Sequence, residues 1–340
     1  MRIGIVNDMA LAREALSRVV RSMPAHQVAW TAIDGTEAIE NARFDLPDLI
    51  LMDLVMPGVD GVEATRRIMQ ETPCPILVVT ATMNGQVGRV FDAMGHGALD
   101  SVETPTLGPR GELKGAAPLI DKISVVARLI GKSSESYSSF EIPVVEGPWL
   151  GTLVLIGSST GGPNALAEIL SSLPEPRDAC VVVVQHVDAA FAPGLAKWLG
   201  ERTGRHVDLI NGGERPTGGK IYLAATNDHL ILDSMHRFRY DPEPASLSYR
   251  PSVDVFFRTV ATYWSRPGIA AVLTGMGRDG AKGLLKLRQG GWHTIAQDKE
   301  TSVVWGMPRA AAEIGGAVEV LPIQRIGPSI VRRLNQATIS

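Results

Sequence analysis

Hydrophobic positions divide the chain into short strand-like runs, most of them followed by a stretch with helical spacing. Arg2–Val6 is a β-rich run, and Ala10–Val20 follows with Leu11, Ala15, Leu16, Val19 and Val20 on one side. The pair repeats as Val28–Ala32 with Gly35–Ala42, Leu49–Met52 with Gly61–Gln70, and Pro75–Val79 with Gln86–Met94, before a last strand near Leu99–Val102. Strands alternating with helices in this way predict a parallel sheet covered by helices on both faces. Pro118–Ile130 then carries Leu119, Ile120, Ile123, Val126, Ala127 and Ile130 at helical spacing and reads as a helix closing this domain. The Pro- and Gly-containing loop Thr104–Gly115 reads as an insertion ahead of it.

A second alternating series begins at Leu153–Ile156, followed by Leu166, Ile169, Leu170 and Leu173 on a helix that starts at Pro163. Ala179–Val184, Lys220–Ala224, His229–Leu232, Gly268–Leu273 and Trp292–Ala296 read as strands, with helices over Ala281–Gln289 and Pro308–Ile314. A second parallel, doubly wound sheet is therefore expected. Between the two series, Gly131 to Pro148 is polar and serine-rich, with Pro143 and Gly147, which marks a linker in which Phe140, Ile142, Val144 and Val145 could pack. The expected organisation is α/β throughout, with a first domain over residues 1–125, a linker helix and polar linker over 126–150, and a second domain over 151–340.

Composition narrows the function classes. The chain of 340 residues is long enough for two cores, and its net charge of −3 provides no basic footprint for nucleic acid or an acidic membrane surface. The amino-terminal run is interrupted by Asn7 and Asp8, unlike a signal peptide, and no apolar run is long enough to span or insert into a bilayer. Cys74 and Cys180 are the only cysteines, which suits a cytoplasmic location and argues against a disulfide framework or a cysteine metal site.

Candidate chemistry follows from position, because α/β sheets bind ligands at the carboxyl ends of their strands. In the first domain Asp8, Asp53 and Thr80 fall at such ends, and two carboxylates on one edge suit Mg²⁺, which also recruits phosphate oxygens. In the second, Ile156-Gly157-Ser158-Ser159-Thr160-Gly161-Gly162-Pro163 reads as strand, tight turn and helix, with Gly157, Ser159 and Gly161 at the spacing of a nucleophile elbow. Alone, this stretch also fits a phosphate-binding loop or a plain turn. His186 and Asp279 follow other predicted strands, and a serine nucleophile needs a base that is itself oriented by a carboxylate. Rival histidines are His293, His26, His96, His206, His229 and His236, and rival orienting acids are Asp254 and Asp298. Ser158 is off-centre in the elbow. The chain order Ser, His, Asp differs from the Ser, Asp, His order of common α/β-hydrolases, so a standard lipase is not expected.

Residues 1–125 resemble a two-component receiver domain of flavodoxin-like fold, on Asn7-Asp8, Met52-Asp53, Met56-Pro57, Asp60-Gly61 and Thr80-Ala81. The resemblance implies that Asp53 accepts a phosphoryl group from a histidine kinase and that Thr80 moves to bind it. It also implies Mg²⁺ held by Asp8, Asp53 and the backbone carbonyl of Val55, with Asn7 contributing indirectly. Two departures stand out: Asn7 replaces the first of the family's paired acids, and Thr104 and Ser101 occupy the positions of its phosphate-binding lysine and aromatic switch. Loss of the lysine ammonium is expected to weaken the coupling of phosphorylation to conformation.

The second half resembles the catalytic domain of chemotaxis protein-glutamate methylesterases, the CheB family. Besides the elbow, the matching stretches are Gln185-His186, Arg250-Pro251-Ser252-Val253-Asp254, Leu273 to Gly280 and Gly306-Met307-Pro308. The family's triad falls on Ser159, His186 and Asp279. The receiver departures, with Gly95-His96-Gly97-Ala98, resemble the WspF-like branch, which serves surface sensing. The family implies hydrolysis of glutamyl methyl esters on a methyl-accepting chemoreceptor, giving glutamate and methanol, with deamidation of receptor glutamines as a companion activity. It also implies a receiver that covers the site until phosphorylated, and no cofactor in the catalytic domain. Backbone amides near Thr160 and Met276 are the expected oxyanion donors. A competing class is a phosphorylation-controlled binding regulator with a vestigial esterase site.

Overall fold

A computed structural model of the chain describes residues 1–80, 87–108, 112–130, 151–173, 179–247 and 249–337. The polar linker expected from Gly131 to Pro148, with its apolar residues, lies outside them. The chain forms two compact units, Met1–Ser133 and Ser134–Ser340.

The first unit runs β1 (Arg2–Val6), α1 (Ala10–Arg21), β2 (Gln27–Ala32), α2 (Gly35–Phe44), β3 (Leu49–Met52), α3 (Gly61–Glu71), β4 (Ile76–Thr80), α4 (Val87–Gly95) and β5 (Asp100–Glu103). The hairpin of β6 (Thr106–Leu107) and β7 (Leu113–Lys114) follows, and α5 (Ala116–Ile130) closes the unit. The sheet is parallel in the order β2-β1-β3-β4-β5, as the alternation predicts. Every residue of β3 and of β4 is buried, which is why these strands read as unbroken apolar runs rather than alternating ones. The expected loop after Thr104 holds the small hairpin instead, and its Leu113 packs against the core formed by Ile3, Ile5, Leu51, Leu77 and Leu119. Each such fully buried aliphatic side chain contributes roughly 1.5–3 kcal/mol.

The second unit runs β8 (Thr152–Ser158), α6 (Gly162–Ser172), β9 (Ala179–Gln185), α7 (Ala192–Thr203), β10 (Val207–Ile210), β11 (Ile221–Ala224), β12 (His229–Leu232) and β13 (Phe238–Asp241). It continues with α8 (Val253–Tyr263), β14 (Ile269–Val272), α9 (Ala281–Gln289), β15 (His293–Gln297), α10 (Met307–Glu313), β16 (Glu319–Leu321) and α11 (Ile323–Ala337). Its main sheet is parallel in the order β10-β11-β9-β8-β14-β15-β16, so β8 is central. His229–Leu232 is a strand as expected, but it pairs antiparallel with β13 outside that sheet. Phe238, Phe256 and Phe257 join this hairpin and α8 to the core under β14. Among the described residues no helix is long and apolar enough to cross a membrane.

Candidate active site and phosphoacceptor site

In the first unit Asp53 follows β3, where Gly61 at the start of α3 lets the chain pass close: a Cβ there would lie 1.9 Å from the Asp53 carbonyl oxygen. The Asp53 carboxylate accepts from Leu54 N–H at 2.7 Å, Val55 N–H at 3.4 Å and the Asn7 side-chain amide at 2.8 Å. Burial, and to a smaller degree the neighbouring Asp8 charge, push Asp53 up to about 6 against those backbone hydrogen bonds. A half-buried carboxylate beside a second acid is a poorly compensated charge, and oxygen donors of this kind suit a hard divalent cation. The residues present thus fit Mg²⁺, with Asp8 and Asp53 as the carboxylates; among the described residues no larger acid or histidine cluster offers another metal site. Asn7 differs from expectation. Its amide oxygen accepts from Met9 N–H at 2.9 Å and its nitrogen faces Asp53, because a carboxylate recruits the donor end of the amide. Thr80 is buried at the end of β4, and Thr104 N–H donates to its carbonyl at 3.0 Å. The Thr104 and Ser101 hydroxyls are buried without a hydrogen-bond partner. Lys122 pairs with Asp100 at the start of β5, the opposite strand end from Asp53, and does not stand in for the missing lysine.

In the second unit β8 ends at Ser158, and the chain turns through Ser159, Thr160 and Gly161 into α6. Gly161 has φ +78°, a left-handed conformation that a side chain would strain. Gly162 N–H closes the turn on the Ser159 carbonyl at 2.8 Å. Beneath it, Gln185 accepts from the Ser158 hydroxyl at 2.7 Å and donates to the carbonyls of Ser159 and His186 at 2.9 and 3.0 Å, so one buried amide braces both neighbouring strand ends. Ser159 is 2 % and His186 6 % exposed. Gly275 lies against the serine: a Cβ there would come within 2.8 Å of the Ser159 Cβ.

His186 and Asp279 meet at 2.8 Å between Nε2 and Oδ2. Asp279 also accepts from Ser252 Oγ at 2.8 Å, Val253 N–H at 2.7 Å and Asp254 N–H at 3.0 Å, which places its carboxylate on the amino end of α8. Burial raises its pKa, but the hydrogen bond and charge of His186 and these further donors outweigh it and hold Asp279 below the ordinary carboxylate range. With Nε2 committed to Asp279, the nitrogen left for proton transfer is Nδ1, which is buried and has no partner. No hydrogen bond joins it to Ser159 among the described residues; such contacts often tighten only with substrate bound. Neither Thr160 N–H nor Met276 N–H donates to a protein acceptor among the described residues, and both flank Ser159 in the turn and across Gly275.

The rival residues have other partners. His293 pairs with Glu319, His236 with the Tyr263 carbonyl, His206 with Asp208 and His26 with the amino terminus. His229 lies between the Pro244 carbonyl and Ser252 N–H, supporting the α8 entry. Asp254 accepts from Gly283 N–H at 2.6 Å, and Asp298 caps its own turn at Thr301. Sequence reasoning missed Tyr249, whose ring stacks on His186, and missed the α8 donors as a cradle for Asp279.

An α/β domain with a serine turn and a histidine–aspartate pair, in one chain with a receiver-type sheet and its acid pocket, defines a response regulator with a hydrolase domain. Residues 154–330 match the family model for CheB methylesterase, and residues 3–109 match that for the response regulator receiver domain. The chain belongs to the CheB methylesterase family. It is 52 % identical over 327 residues to the protein-glutamate methylesterase/protein-glutamine glutaminase of group 3 operon from Pseudomonas putida, covering 96 % of this chain and 97 % of that protein. It is 51 % identical over 331 residues to protein-glutamate methylesterase/protein-glutamine glutaminase 2 of Cupriavidus metallidurans, covering 97 % and 98 %. The crystal structure of the Thermotoga maritima CheB methylesterase catalytic domain matches with a TM-score of 0.51 and 38 % identity, over 54 % of this chain and 98 % of that one.

Proposed function

We propose that the protein hydrolyses γ-glutamyl methyl esters on the cytoplasmic helices of a methyl-accepting chemoreceptor and deamidates receptor glutamines, under control of phosphorylation at Asp53. The observation that carries the chemistry is the Asp279 carboxylate, anchored on the amino end of α8 and bonded to His186 Nε2, which leaves Nδ1 as the base. Ser159 Oγ attacks the ester carbonyl as its proton passes to His186 Nδ1, and Asp279 stabilises the imidazolium. Thr160 and Met276 N–H groups hold the tetrahedral oxyanion. His186 returns the proton to the departing methoxide, releasing methanol. Water, deprotonated by Nδ1, then attacks the acyl-serine; collapse frees the glutamate and restores Ser159. With glutamine the leaving group is ammonia, by the same steps.

In the first unit, Asp53 accepts phosphate from a histidine kinase and Thr80 binds the phosphoryl oxygens. Asp8, Asp53 and the Val55 carbonyl would hold Mg²⁺, which when bound neutralises charge on the transferring phosphate. The unphosphorylated receiver restrains access to Ser159, and phosphorylation relieves it. Placement in the WspF-like, surface-sensing branch rests on Asn7, Ser101 and Thr104. The test is methanol release from methylated receptor by wild type and Ser159→Ala. Loss of on the order of 10³-fold or more is expected in the variant; equal rates would sink the triad and favour a phosphorylation-controlled binding regulator with a vestigial site.

A further inference from the structure

One short segment acts on the imidazole of His186 twice, once directly and once through Asp279. Tyr249 stacks on it with ring centroids 4.0 Å apart and planes 14° from parallel. Three residues further on, Ser252 begins the run of donors that fixes Asp279. These two contacts constrain different motions. The hydrogen bond from Nε2 to Asp279 fixes one corner of the ring but leaves it free to tilt about the Nε2···Oδ2 axis, and such a tilt swings Nδ1 away from the serine. A flat aromatic face against the imidazole removes that freedom. It also presents π-electron density to the imidazolium that forms when Nδ1 takes a proton.

We propose that Tyr249 is a positioning residue for the hydrolysis: its ring holds the plane of His186 so that Nδ1 is presented to Ser159. The assignment rests on reading His186 as the base for Ser159. It predicts that the ring matters and the hydroxyl does not. Tyr249→Phe should keep kcat within about twofold of wild type, whereas Tyr249→Met, flexible and apolar, should lose roughly 10- to 100-fold in kcat with KM little changed, since misaimed catalytic groups cost rate rather than binding.

The experiment measures kcat and KM for methanol release from methylated receptor, using the full chain and both variants, together with the rate at which a fluorophosphonate labels Ser159. Thermal unfolding of each variant establishes that it is folded; if Tyr249→Met is not, Tyr249→Leu takes its place. A fall in kcat and in labelling for the Met or Leu variant, with Phe behaving as wild type, supports the assignment. Equal kcat and labelling in all variants overturns it, as does a rise in KM alone, which would make Tyr249 a substrate contact, or an equal loss in Tyr249→Phe. If wild type labels at Ser159 but releases no methanol, the substrate reading fails, and the labelling contrast among variants still decides the role of Tyr249.

Discussion

Asp279 and Asp254 are neighbouring buried carboxylates driven in opposite directions. Asp279 collects the four donors at the amino end of α8 and from His186, and it stays ionised. Asp254 receives one, from Gly283 N–H, and burial together with the Asp279 charge pushes it up to about 7. Its folded pKa therefore lies above its unfolded value, so the folded state holds a proton that the unfolded state has released. The contribution of Asp254 to stability is complete below about pH 4 and falls as pH rises through about 7. Asp254→Asn keeps the acceptor for Gly283 and cannot ionise. Urea unfolding of wild type and variant should show wild type losing about 4 kcal/mol more than the variant between about pH 4 and pH 8; parallel profiles would refute the shift. Asp279→Asn is expected to be the costlier change for activity. It removes the charge that supports the His186 imidazolium, so methanol release should fall on the order of 10³- to 10⁴-fold with little change in KM. A variant within tenfold of wild type would show that His186 does not depend on Asp279.

At the scale of elements, the serine turn works because two glycines let other segments close on it. A Cβ at Gly161 would lie 2.6 Å from the Val303 Cβ, on top of its positive φ, and one at Gly275 would lie 2.4 Å from the Met307 sulfur and 2.8 Å from the Ser159 Cβ. Gly161→Ala should destabilise the second unit by roughly 1–3 kcal/mol through backbone strain and crowding. Gly275→Ala presses on Ser159, the proposed nucleophile. Displacement by a fraction of an ångström should lower methanol release by about 10- to 100-fold, and an unaffected rate would mean that Met307 gives way instead. The turn itself was legible, because Gly157, Ser159, Gly161 and Pro163 mark a strand-to-helix bend and Leu166, Ile169 and Leu170 mark the helix. Helix α8 is equally readable, with Ser252 as its cap, Asp254 in its first turn and Phe256, Phe257 and Val260 at helical spacing. That Asp279 would accept from its first amides depends on a pairing of segments distant in sequence, which periodicity does not encode. The same limit applies to β12: His229–Leu232 reads as an apolar strand, but nothing in four residues says which strand it joins. Tyr249 lies in a stretch with no period at all.

At the scale of the whole molecule, the output of Asp53 as the proposed phosphoacceptor depends on what would grip a phosphoryl group placed on it. Receivers of the family place a lysine where this chain has Thr104, a loss readable in the sequence. The structure adds its local consequence: Thr104 N–H ties to the Thr80 carbonyl, while its hydroxyl and that of Ser101 are buried without partners. On the proposed reading a phosphoryl group on Asp53 would be met by the hydroxyl of Thr80 but, with Thr104 at the family's lysine position, by no ammonium from that position, and a charge-assisted contact is about twice as strong as a neutral one. Phosphorylation should therefore stimulate methanol release only modestly in wild type, and Asp53→Asn should abolish that stimulation while leaving the basal rate. Thr104→Lys, whose side chain starts beside Thr80, restores the cation. Its ratio of methanol release with acetyl phosphate and Mg²⁺ to release without them should exceed the wild-type ratio several-fold, since about 1.4 kcal/mol of added preference for the phosphorylated arrangement is worth tenfold in that equilibrium. An unchanged ratio, with Asp53 shown to be phosphorylated in both proteins, would mean that the signal reaches Ser159 by a route that does not pass through the end of β5.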